Sequence, residues 1–112
     1  VNALVTVPLR LVSEANAHQH WRERQRRAKA QRQAVRVFWW GSALPQTKPA
    51  EVRLTRLAPR KLDSDNLQGA CKHVRDEVAA LCGFDDRDES VRWVYAQERA
   101  KAYGVRVEVT WP

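Results

Sequence analysis

A chain of 112 residues is long enough for one domain around one core, and its formal net charge of +7 points to a polyanionic partner, most simply nucleic acid. An anionic membrane surface is the weaker alternative, because no apolar run approaches the roughly 20 residues that a membrane span needs. Only 4 Gly and 5 Pro, with no low-complexity tract, argue against disorder.

Taken along the chain, residues 3–9 (ALVTVPL) read as a first strand, with Pro8 at an edge position or a strand end. Residues 10–20 form a polar loop containing Asn16, His18 and His20. Residues 21–40 read as a helix, rich in good helix formers and stopped by Gly41. Trp21, Ala28, Val35 and Trp39 recur on its apolar side. Its other faces carry Arg22, Arg24, Arg26, Arg27, Lys29, Arg32 and Arg36 against Glu23 alone, an imbalance that favours phosphate binding over a merely solvated face. Residues 51–57 alternate polar and apolar as a half-buried strand does. Residues 65–82 read as a second helix with Leu67, Cys71, Val74, Val78 and Leu81 on one stripe and Gly83 as C-cap. Residues 84–90 form an acidic loop. Residues 91–97 and 104–111 read as strands joined by a hairpin through 98–103. The whole, residues 1–112, is a single α+β domain with a small mixed sheet and two helices in the order β-α-β-α-β-β.

The two cysteines lie on the second helix, about 16 Å apart, too far for a disulfide, which suits a reducing cytoplasm. No signal peptide is visible; the chain has no Met and begins at Val1, so its natural start is expected upstream. Among the five tryptophans, Trp39, Trp93 and Trp111 fall on apolar patterns and are expected in the core or an interface, whereas Trp21 and Trp40 are open to either role.

The charge is uneven. Residues 63–89 hold eight acids and three bases, a net of −5, while the remainder nets +12. A plain electrostatic DNA binder has no use for such an acidic island, and a metal-dependent enzyme acting on DNA does. Asp63 and Asp65 sit two apart where strand hands over to helix, and on a strand such residues share a side about 6.6 Å apart. Mg²⁺ commonly takes one or two carboxylates with waters and a substrate phosphate. The competing reading is structural: Asp65 with Gln68 forms a D-x-x-Q capping pattern, leaving Asp63 solvated. Asp85, Asp86 and Asp88 lie beyond the other end of the helix, about 24 Å away, and read most simply as an acidic turn.

At KLDSDNLQGACKHVRDEVAALCGFDDRDESV the sequence resembles the RusA-type Holliday junction resolvases, whose D-x-D-N-L segment opens a helix that is followed by a second aspartate cluster. The resemblance implies a homodimeric, Mg²⁺-dependent endonuclease, with Mn²⁺ as the alternative ion, that cuts four-way DNA junctions in recombination and repair. It implies a bacterial or phage-borne, cytoplasmic protein, and a fold that brings both acidic loops near one centre. Carried over residue by residue, it assigns metal binding and catalysis to Asp63, Asp65 and Asp88, with Asp85 and Asp86 as alternates. Many members place a lysine where this chain has Gly69; Lys72 is the substitute on the same helix face. DNA contacts fall to Arg22, Arg26, Arg27 and Lys29, and to Arg60 and Lys61 beside the aspartates. The rival readings are a DNA-binding protein of the same fold that has lost cleavage, and a basic RNA-binding protein whose acids are only caps and turns.

Overall fold

The computed structural model describes residues 2–13, 21–42 and 44–112. Its elements are β1 (Asn2–Val7), α1 (Trp21–Gly41), β2 (Glu51–Ala58), α2 (Ser64–Ala70), α3 (Lys72–Cys82), β3 (Arg92–Arg99) and β4 (Gly104–Thr110). The class is α+β and the order is that read from the sequence, with α2 and α3 as one helical run interrupted at Cys71. No helix among the described residues is long and apolar enough to cross a membrane.

The four strands form one mixed sheet in the order β1-β4-β2-β3. β4 is antiparallel to both β1 and β2, and β2 is parallel to β3. Here the structure corrects the hairpin expected between the last two strands: β4 does not pair with β3 but inserts between β1 and β2. Parallel neighbours need a crossover, and the α2–α3 run supplies it. The segment after β3 therefore carries the chain past β2.

Register lines up two apolar rows on the helix-facing side, Ala3–Val109–Val52–Trp93 and Val5–Val107–Leu54–Tyr95. Against them pack Val35 and Trp39 from α1, and Leu67, Cys71, Val74, Val78 and Cys82 from α2 and α3. Both thiols are free and buried, and desolvation pushes each up to about 12, so neither is a nucleophile. Trp39 and Trp111 are core residues, whereas Trp21 and Trp40 are exposed. The apolar stripe expected on α1 thus begins later than the sequence suggests, and Gln31 occupies the buried position one turn before Val35.

The α1 helix packs against α3 through a buried carboxylate. Glu77, 2% exposed, accepts from Arg32 Nε at 2.9 Å and from Arg36 Nε at 3.2 Å. Hydrogen bonding and charge attraction to Glu77 raise the Arg36 pKa. These two arginines, which are not among the expected DNA contacts, are therefore committed within the fold. Removing the carboxylate charge leaves two guanidiniums facing one neutral group. Glu77→Gln is expected to lower unfolding stability by about 2–3 kcal/mol, the range for hydrogen bonds to charged groups, which urea denaturation measures.

Candidate functional site

The third row of the helix-facing side breaks the apolar pattern: it runs Val7, Val105, Arg56 and Gln97. Both polar side chains turn to the segment that leaves β2. Pro59 has no N–H to extend a ladder, and the chain climbs from the sheet to the helical layer over residues 59–63. Arg56, 7% exposed, donates from Nη1 to the Arg60 carbonyl at 2.6 Å. The Gln97 amide brackets Leu62, accepting from its N–H at 2.8 Å and donating to its carbonyl at 2.6 Å. Burial lowers the Arg56 pKa, offset in part by Tyr103 and Cys71.

This brace delivers Asp63 to the start of α2. Its backbone is extended (φ −69°, ψ 165°) and its Oδ1 accepts from the Asn66 N–H at 3.1 Å, so Asp63 is the N-cap. The alternative of Asp65 as the cap is corrected. Asn66 in turn accepts from the Ser13 hydroxyl at 3.0 Å, which ties the segment after β1 to the same helix end. Asp65 lies in the first turn, exposed, and has no hydrogen-bond or ion-pair partner among the described residues.

Asp65, Gly69, Lys72 and Asp76 follow one another at helical spacing along one face. A cleft of about 330 Å³ opens beside it, lined by Gln68, Gly69, Lys72, Arg75, Asp76, Asp86 and Tyr95. Lys72 Nζ sits 3.2 Å from the Asp76 carboxylate. Arg75 closes the far wall: its guanidinium lies 4.5 Å over the Trp93 ring and donates to the Tyr95 hydroxyl at 2.8 Å and the Asp86 carbonyl at 2.6 Å. The acidic loop is thereby folded back onto α3, and Asp86 reaches the cleft.

Its neighbours are otherwise engaged. Asp85 accepts from the Arg87 N–H at 2.9 Å and pairs with its guanidinium at 3.2 Å, which lowers its pKa. Asp88 accepts from the Ser90 N–H at 2.9 Å and hydroxyl at 2.7 Å, and Lys48 Nζ stands 2.8 Å away. The lysine and serine hold the Asp88 pKa down at about 2.

The parallel β2–β3 pair explains where the two acidic groups lie. Asp63 and Asp65 follow β2 at one end of the sheet, and Asp85, Asp86 and Asp88 precede β3 at the other, with a 7-residue and an 11-residue helix between them. Only Asp86 turns back along the helix. Among the described residues no three acid, histidine or cysteine side chains come together as a metal cage. Asp85 and Asp88 are thus engaged at the far end, and Asp86 alone of the second group lines the cleft with Gly69 and Lys72.

Of the expected DNA contacts, Arg22, Arg26 and Lys29 are exposed on α1 and Arg27 is half-buried, while Arg60 and Lys61 are exposed beside Asp63. His18 and His20 fall outside the described residues. Arg56, Gln97 and Arg75 were missed from the sequence, although a signal existed. Val52, Leu54 and Arg56 share one strand parity, as do Trp93, Tyr95 and Gln97, so a polar residue stands at an inward position in each strand.

No protein-family model matches the chain, and no curated protein matches it.

Two outcomes test this geometry. Gln97→Leu keeps the volume but leaves the Leu62 N–H and carbonyl unpaired. It is expected to cost about 1–3 kcal/mol and to speed hydrogen exchange at the Leu62 amide. Asp88, with its folded pKa below the ordinary carboxylate value near 4, stabilises above that pH and loses the effect as pH falls toward about 2. Asp88→Asn is expected to lower the thermal midpoint at neutral pH and to flatten its decline between those values.

Proposed function

We propose that the chain is a metal-dependent endodeoxyribonuclease of the RusA type, acting on four-way DNA junctions as a homodimer. The observation that carries this reading is that two carboxylates are exposed at one helix end, Asp63 as the N-cap and Asp65 in the first turn of α2, braced from below by Arg56 and Gln97 and bordered by Arg60 and Lys61. The D-x-D-N-L motif and the net charge of +7 support it.

The donor set fits Mg²⁺, or Mn²⁺, in its sparse mode, with two carboxylates and the remaining positions left to waters and a substrate phosphate. Asp63 spends one oxygen on the cap and keeps the other for an ion; Asp65 keeps both. A bound ion would supply an activated water and offset charge on the scissile phosphate. The protein's own part is positional. Arg60 and Lys61 hold the strand beside the carboxylates. Lys72 stands about 10 Å along the helix from Asp65, given a rise of 1.5 Å per residue, where it meets a flanking phosphate. Gly69 between them leaves the wall low. A Cβ there would touch nothing within 4 Å, so internal packing does not demand glycine, and the close approach of a DNA backbone gives a reason for a residue that costs about 1 kcal/mol in a helix.

A second reading, a DNA-binding protein of this fold that no longer cuts, is favoured by one observation: the third carboxylate of the resemblance, Asp88, is bound to Ser90 and Lys48 instead of facing the pair.

Asparagine caps a helix as well as aspartate does, so Asp63→Asn separates the cap from the metal role. Under the nuclease reading, Asp63→Asn and Asp65→Asn each lower single-turnover cleavage of a labelled four-way junction in Mg²⁺ at least hundredfold, about 2.7 kcal/mol in the barrier. Junction binding is retained. A parent protein that binds the junction but does not cut it establishes the second reading.

A further inference from the structure

Among the described residues, six of the thirteen cations outside α1 pair with an acid, Arg75 with Asp86 among them. Lys48 pairs with Asp88, Lys72 with Asp76, Arg87 with Asp85, Arg92 with Glu51 and Arg106 with Glu98. Four that do not, among the described residues, lie together. Arg60 and Lys61 follow β2, and Arg99 and Lys101 stand at the end of β3 and just beyond it; all four are exposed.

The parallel register makes them neighbours. Ala58 is the register partner of Arg99, and the Ala100 N–H donates to the Ala58 carbonyl at 3.0 Å. Beyond that point the chain folds back over the sheet, where the Gln97 side chain holds the Leu62 main chain. Ala58 and Pro59 thus lie beside Arg99, Ala100 and Lys101 before the chain climbs to the helical layer through Arg60 and Lys61. Between them opens a pocket of about 350 Å³ lined by Pro59, Arg99, Ala100 and Lys101. Like charges gathered at one end of a sheet repel, and the repulsion is relieved when a polyanion neutralises them and releases its counterions.

We propose that this end of the sheet is a second phosphate-binding surface, in which Arg99 and Lys101 join Arg60 and Lys61 to hold the DNA backbone next to Asp63 and Asp65. The proposal rests on the DNA reading above and deepens it. The α1 surface and the sheet-end surface lie on different elements, as a branched substrate with more than one arm requires.

The test is the binding of the full chain to a labelled four-way junction across a salt series, followed by fluorescence anisotropy. The double variant Arg99→Ala, Lys101→Ala is expected to make the slope of log K against log salt shallower by about 1–2, at roughly 0.9 per phosphate contact. Its unfolding midpoint should not move, because both side chains are exposed. The control Arg53→Ala, Arg87→Ala removes the same charge elsewhere and should leave the slope unchanged. A slope unaltered in the Arg99, Lys101 variant while the parent binds steeply overturns this surface and leaves the nuclease reading standing. An equal flattening by the control overturns it too, since net charge alone then explains the effect. A parent that does not bind the junction removes the DNA reading itself, and this surface with it. A parent that prefers single-stranded RNA of matched length over the junction overturns the DNA assignment.

Discussion

The constraint on which the site depends is the Leu62 main chain. Where β2 ends, the chain must leave the sheet for the helical layer, and it does so beneath the start of α2, partly shielded from water. An unpaired N–H and carbonyl there would cost about 1–3 kcal/mol. The Gln97 side chain pairs both, and Arg56 pairs the Arg60 carbonyl two residues earlier. Gln97 lies 35 residues further on, in a strand laid beside β2 only after the α2–α3 crossover has returned. The position of Asp63 and Asp65 is thus a property of the closed βαβ unit, not of the local motif. The D-x-D-N-L segment contributes the cap, and the third row of the sheet contributes the placement.

A second long-range contact orients the other basic surface. Arg32 and Arg36 face inward to Glu77, which sets the rotation of α1 about its axis. Arg26 and Lys29, one to three turns earlier, are then left exposed. A single buried acid on α3 in this way decides which arginines of an arginine-rich helix turn inward and which stay exposed. Helical periodicity alone could not decide it, because Arg32 and Arg36 differ in nothing local from Arg22 and Arg26.

What the sequence made legible was whatever has a period or a breaker. The alternation of β2 from Glu51 to Leu54, the apolar stripe of Leu67, Cys71, Val74 and Val78, and the Gly83 cap (φ 75°) appear in the structure, while Thr55 and Arg56 are both buried. Topology was not legible. Nothing local distinguishes a β3–β4 hairpin from a β4 that inserts between β1 and β2, since either arrangement buries the same Val105, Val107 and Val109. The cap was misplaced for a related reason. Asp63 and Asp65 both precede suitable N3 partners, and the choice between them follows from where the brace ends the extended segment. Asp85 and Asp88 followed the plain local rule, each accepting from a backbone N–H two residues on.

The acidic island that set this protein apart in its sequence therefore divides in three. Glu77 is a structural anchor between helices. Asp85 and Asp88 shape a turn, and Arg75, stacked on Trp93, fastens that turn to α3 through the Asp86 carbonyl. What remains is the Asp63–Asp65 helix end, Asp76 further along that helix, where Lys72 neutralises it, and in the loop Glu89 and Asp86, the latter 3.8 Å from Arg75. Only the Asp63–Asp65 end combines exposed carboxylate oxygens with adjacent cations that have no acid of their own. A metal cage built from the whole island would need the two ends of the α2–α3 run to meet, and of the far loop only Asp86 folds back along the helix. A site built from two carboxylates, waters and the substrate's own phosphate needs no such meeting. On the proposed reading, its remaining charge balance would come from the cations around it, at the basic rim where β2 and β3 end.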